Sequence, residues 1–271
     1  MRIARDFVVL VHFNSKLFKL CLESVGNGRR LISKKKPLDF TKHELIGGII
    51  CGAILTIASA FQQFGIGEGT DSGKAAFITA LYVVLVPIIY LIFGRRSPIN
   101  VWISVLIAVV GFYFLCIKND FSLGFSDALI LICALIFASH IIAIDVFSPK
   151  CDGVRMSCIQ FLSAFVFNLV LALIIEGPLD FALIADKILP LLYLGICSSG
   201  IAYTLQIVGQ KHVPPAIASI LLSLESVFGV IGGALFHGEI MSEREYIGCI
   251  IVFAAVILSQ IDFKRNKKKQ D

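Results

Sequence analysis

The chain has 271 residues, a formal net charge of +5 and a mean hydropathy of +0.88, with 57% hydrophobic and only 16% charged residues. Soluble domains carry about a quarter charged residues, so a water-soluble globule is excluded; the basic residues sit in short loops and a tail, not on an aromatic-laced basic face, which excludes nucleic acid as a partner. The apolar surplus falls into runs of about 20 residues, the length a helix needs to cross hydrocarbon, and these runs lack the alternation of barrel strands, so the fold class is all-α, a polytopic helical membrane protein.

Residues 1–36 are an atypical start. The stretch 7–22 is apolar but broken by His12, Asn14, Lys16 and Lys19, too short and too charged for a comfortable span. It reads as an interfacial helix, not a signal peptide, for want of a small-residue cleavage site. Eight membrane helices follow, at about 44–66, 74–94, 100–117, 126–147, 155–176, 188–211, 214–237 and 243–261. Gly, Pro and charge clusters punctuate them, including Arg95-Arg96-Ser97-Pro98, Ser148-Pro149-Lys150 and Pro214-Pro215. Residues 264–271 form a basic tail.

Loop charge sets the orientation. Arg29, Arg30, Lys34, Lys35, Lys36, Lys42, Arg95, Arg96, Lys150, Arg155, Lys211 and five basic tail residues fall on one side; Lys74, Lys118, Lys187 and Arg244 fall on the other. The side with the excess is expected to be cytoplasmic, with the C-terminus inside.

Sliding the chain on itself gives a match at an offset of 144 residues. Ile57, Ala58, Gln62 and Gly65 fall on Ile201, Ala202, Gln206 and Gly209, and Trp102 meets Tyr246. The equivalent helices are 44–66 with 188–211, 74–94 with 214–237, and 100–117 with 243–261. Their predicted directions are opposite, so the chain is expected to be an inverted repeat of helical bundles. That is the arrangement by which many transporters build alternating access around a midplane site.

Polar groups within hydrocarbon are costly and are functional candidates by default. Glu225 lies near the middle of helix 214–237 and is a candidate substrate or proton contact, or else a helix-bonding carboxyl. Ser199, Tyr203, Gln206 and Gln210 step by four, three and four, which sets them on one helix face; such a stripe lines water or binds helices together. Ser219, Ser223 and Ser226 form a similar stripe. Gln62, Thr79 and Tyr82 are the first-repeat candidates, with Thr56, Ser59 and Gln63 nearby. Ser157, Gln160, Ala164 and Asn168 mark one face of helix 155–176. His140 is a packing residue or a proton-coupling group beside Glu225. Gly48-x-x-x-Gly52 and Gly229-x-x-x-Gly233 allow close helix approach, read first as packing within the chain and second as a dimer face.

The eight cysteines are scattered, mostly in apolar runs and without a C-x-x-C pair, so they read as small packing residues with no metal or redox spacing. No nucleophile elbow, metalloprotease motif or phosphate-cradling loop is present, so no catalytic residue, metal or cofactor is implied.

Three stretches resemble the drug/metabolite transporter superfamily, in its EamA-type ten-helix branch. They are Gln62-Gln63 followed by Ser72-Gly73-Lys74-Ala75-Ala76-Phe77, then Ser198-Ser199-Gly200-Ile201-Ala202-Tyr203-Thr204-Leu205-Gln206, and Leu224-Glu225-Ser226-Val227-Phe228 ending at Gly238-Glu239. The resemblance covers about residues 37–263: a first, incomplete repeat at 37–118 and a second at 124–263. It implies a secondary transporter, more an exporter than an importer, of small organic metabolites such as amino acids, working in the lipid bilayer of the plasma membrane. Family members open with two further spanning helices, which residues 1–36 do not resemble. The alternative expectation is therefore a truncated, non-transporting membrane protein or a half-transporter that needs a partner chain. A homodimer, and a membrane-embedded enzyme using Glu225 and His140, are weaker readings.

Overall fold

A computed structural model describes residues 40–70, 72–117, 124–175, 188, 194–237 and 242–261, with backbone alone at 72, 194, 197–199, 229 and 233–237. The predicted segments 1–36 and 264–271 lie outside the described residues. Every described element is helical: α1 (Lys42–Gly67), α2 (Ser72–Ala80), α3 (Tyr82–Ile92), α4 (Ile99–Cys116), α5 (Phe125–Phe147), a 3-10 turn (Ser148–Lys150), α6 (Gly153–Ile175), a π-helical stretch (Leu194–Ala202), α7 (Tyr203–Gln210), α8 (Pro215–Leu222), α9 (Leu224–His237) and α10 (Glu243–Gln260).

Six spans among the described residues are long and apolar enough to cross a bilayer: Lys42–Gly67, Gly73–Ile92, Ile99–Cys116, Phe125–Lys150, Gly153–Ile175 and Pro215–Gly232. The chain is an integral membrane protein. Of the other two predicted helices, α10 has the length but carries Glu243, Arg244 and Glu245 in its first turn, and 188–211 is only partly described. The predicted helices 74–94 and 214–237 each carry a one-residue irregularity, at Leu81 and at Ser223, a helix break in which the backbone stays right-handed helical but the ladder loosens.

The chain divides into two compact units, one drawn from residues 1–63 and 143–212 and the other from 64–142 and 213–271. Each unit takes helices from both predicted repeats, so the units do not follow the repeat boundary.

In the first unit, α1 and α6 touch backbone to backbone because glycines leave room. A methyl group on Gly48 would lie 2.6 Å from Ile159 Cβ, and one on Gly52 would lie 2.6 Å from the Gln160 carbonyl oxygen. Contacts advance in the same sense along both helices, so α1 and α6 run parallel. The predicted Gly48-x-x-x-Gly52 motif thus serves packing within the chain. α7 crosses α6 in the opposite sense: Gly153 meets Val208, and Ser157 Oγ lies 2.6 Å from Thr204 Oγ1. α1 and α7, equivalent helices of the repeat, therefore run antiparallel.

In the second unit, α4 and α10 pair along their whole length. A methyl on Gly111 would lie 2.7 Å from Val252 Cγ2, and one on Gly248 2.7 Å from the Leu115 nitrogen. Residue numbers rise along one helix as they fall along the other, so this equivalent pair is antiparallel too. Asn100 fastens the far end, donating from Nδ2 to the Ile261 carbonyl at 2.9 Å and the Ser259 carbonyl at 3.3 Å. These carbonyls have no partner within their own helix. Around the pair lies a continuous apolar core that includes Phe112, Leu115, Ile130 and Ile220.

Candidate functional site

The breaks at Leu81 and Ser223 have a shared logic. They lie 142 residues apart, within two residues of the repeat offset, so the same helix is interrupted in each repeat. At the second break the cause is legible. Ser219 Oγ donates to the Ala216 carbonyl at 2.8 Å and Ser223 Oγ to the Ile220 carbonyl at 2.6 Å. Serine back-bonding of this kind competes with the helical ladder and bends it. The chain re-enters a helix at Leu224, with Glu225 in its first turn. A carboxylate suits that position because the opening N–H groups present partial positive charge.

The two breaks belong to one packed region of the second unit. Leu81, Tyr82 and Leu224 all pack against its main core. Tyr82 and Leu222 also pack on a smaller cluster of Val86, Ala138 and Ile141. Thr79 and Tyr82 flank the first break and Ser223 and Glu225 the second, while His140 is buried on α5 between core residues Ala138 and Ile141. Ser219 and Ser223 are buried with their hydroxyls committed to their own helix, whereas Glu225 is exposed and has no ion-pair partner among the described residues.

The remaining predicted site residues fall in the first unit. Gln160 is fully buried on α6. Tyr203 sets its ring edge-on to Phe161 at 6.4 Å, and Gln206 Nε2 donates to Gln210 Oε1 at 3.2 Å. Gln62 is half-buried near the end of this unit's share of α1. The Ser199 side chain lies outside the described residues; its backbone belongs to the π-helical stretch, an uncommon form that is frequent at functional sites.

Two ionic clusters escape the sequence reading. In the first unit Glu44 closes a capping box with Thr41, accepts from the Asp152 backbone N–H at 3.1 Å and pairs with Arg155 at 3.7 Å, both side chains being nearly inaccessible. Arg155 also lies over the Phe40 ring. In the second unit Lys74 Nζ meets Asp127 Oδ2 at 2.5 Å, and Asp127 accepts further bonds from Thr70 Oγ1 and the Gly124 N–H. The T-x-x-E spelling at 41–44 is a capping signal visible in sequence, but partners more than fifty residues away are not. In the first unit Cys151 is buried beside Glu44, and burial, then that carboxylate, push its thiol above the usual range. Lys211 Nζ donates to the Cys151 carbonyl. The described cysteines are all buried and unbridged, as packing residues would be.

Residues 124–260 match the model of the EamA-like transporter family, the predicted second repeat almost end to end. An uncharacterized transporter of Archaeoglobus fulgidus is 31% identical over 212 residues, which cover 78% of this chain and 67% of the relative. A solved crystal structure has the same fold, with a TM-score of 0.74 at 14% identity over 98% of this chain and 89% of that chain.

Proposed function

The chain belongs to the EamA-like transporter family and is a membrane transporter, and from that premise we propose that it is a secondary carrier of small organic metabolites, with amino acids the leading class. It works as an exporter by alternating access of its inverted repeats, in the plasma membrane with its C-terminus cytoplasmic. The observation that carries the reading is the pair of repeat-related helix breaks packed in one unit. Helices that lose regularity at corresponding points of two repeats mark where inverted-repeat transporters hold solutes near mid-membrane. Glu225, one residue past Leu224 at the second break, is the ionisable contact; Thr79, Tyr82 and Ser223 flank it, and His140 is the second candidate for moving a proton. Gln62, Gln160, Ser199, Tyr203 and Gln206 are the polar candidates of the first unit. The charge excess of the loops supports the orientation.

The test is counterflow in proteoliposomes with a labelled amino-acid mixture, comparing the native chain with Glu225→Gln. Saturable exchange by the native chain is expected, slowed about tenfold or more in the variant, as for loss of one charged contact. Its dependence on external pH should flatten as well. Native exchange untouched by the substitution would remove Glu225 from the path.

A further inference from the structure

Asn168 lies on the face of α6 that also carries Ser157, Gln160 and Ala164, roughly 6 Å past the middle of the helix at 1.5 Å per residue. It is therefore well inside the hydrocarbon layer. Its side chain is 5% exposed, and no donor among the described residues reaches its Oδ1. Its neighbour on the same face behaves differently: Ser157 is spent on Thr204. Buried amides in native proteins nearly always find a partner, since leaving one unmade forfeits the desolvation of the group. In a membrane helix the same sequence position could be filled by leucine at no such cost.

The parallel contact of α1 and α6 sets what lies at this depth. Gly52 abuts Gln160, Ser163 and Ala164. One turn further along both helices come Thr56 and Asn168, so the two occupy one level of the first unit. Thr56 is buried, and its hydroxyl proton is given to the Gly52 carbonyl at 2.9 Å. What its oxygen has left to offer is lone pairs. Two acceptors, Asn168 Oδ1 and Thr56 Oγ1, thus stand at one depth of a helix pair that supplies no donor to the first of them.

We propose that Asn168 is a ligand-binding residue that accepts a hydrogen bond from an N–H donor of the transported solute, an amine or the ammonium group of an amino acid. This rests on the carrier reading above and sharpens its substrate class. The site uses residues of the first unit alone. A helix-bonding role for the Asn168 side-chain carbonyl would require a donor that the described residues do not provide.

The full chain in proteoliposomes tests this, with a labelled amino-acid mixture as the probe and Asn168→Leu and Asn168→Asp beside the native protein. Leucine keeps the volume and removes the acceptor, so exchange should fall about tenfold, the loss of one hydrogen bond, while the detergent-solubilised variant melts no lower than the native chain. Aspartate keeps an acceptor and should preserve exchange. Native-like exchange by Asn168→Leu would overturn the assignment, and so would a melting temperature several degrees below native, which would mark the amide as structural. If the native chain exchanges none of the mixture, the amino-acid reading fails and takes the named ligand class with it; native exchange that survives the leucine variant sinks the Asn168 assignment alone.

Discussion

The two units hold their helices together by different means. The first relies on glycine-mediated backbone contact between α1 and α6 and on buried polar groups: the Glu44–Arg155 pair, the Ser157–Thr204 bond, Gln160 and Gln210. The second has a broad apolar core around α4 and α10, with one ionic cluster at its edge and its helix breaks cushioned by leucines. Where no hydrophobic force drives helices together in lipid, close packing and polar bonds carry the association. A unit built on buried charges is the more brittle, because losing one partner strands the other.

The largest expected effect follows from that contrast. Arg155→Ala leaves Glu44 buried without its counter-charge and should cost about 3 kcal/mol, read as a lowered midpoint of unfolding in mixed detergent. A double replacement, Glu44→Gln with Arg155→Met, should recover most of it; if the single variant unfolds like the native chain, the brittleness of the first unit is not real. Next, Gly52→Val forces a branched side chain into the Gln160 backbone and should cost about 2 kcal/mol, with a matching loss for Gly248→Val in the second unit. A clear difference between these two would show that one glycine contact yields more readily than the other. Lys74→Met should cost only about 1 kcal/mol. Lys74 is partly exposed whereas Arg155 is buried, so water screens the Lys74 pair and can take the ammonium's place. A penalty equal to that of Arg155→Ala would erase the distinction between the units. Smallest is the chemistry of Cys151. Its thiol is buried and held above the usual range, so at neutral pH it should react with maleimide far more slowly than a free thiol, measured by mass shift in the native and unfolded chain.

The helix breaks illustrate where sequence reading stops. The serines at 219 and 223 suggest a polar stripe that lines water or binds helices together, yet both hydroxyls turn back on the preceding turn and loosen the helix instead. The residue that gains from this is Glu225, whose midspan position was legible while its place at a new helix start was not. The stripe on 188–211 fared differently: Gln206 does meet Gln210 along one face, as the spacing requires. His140, a packing residue or a proton carrier by its sequence position, is buried.

What the sequence determined by itself is six of the eight predicted membrane helices and the antiparallel sense of two of the three equivalent pairs, because apolar length and loop charge are local properties that the bilayer reads directly. Tertiary structure alone decided which helices share a unit, that Glu44 finds Arg155 and Lys74 finds Asp127, and that Asn168 is buried without a donor among the described residues. Those outcomes depend on rotation and depth of one helix against another, set by side chains far apart in the chain, and no periodicity within a single span encodes them.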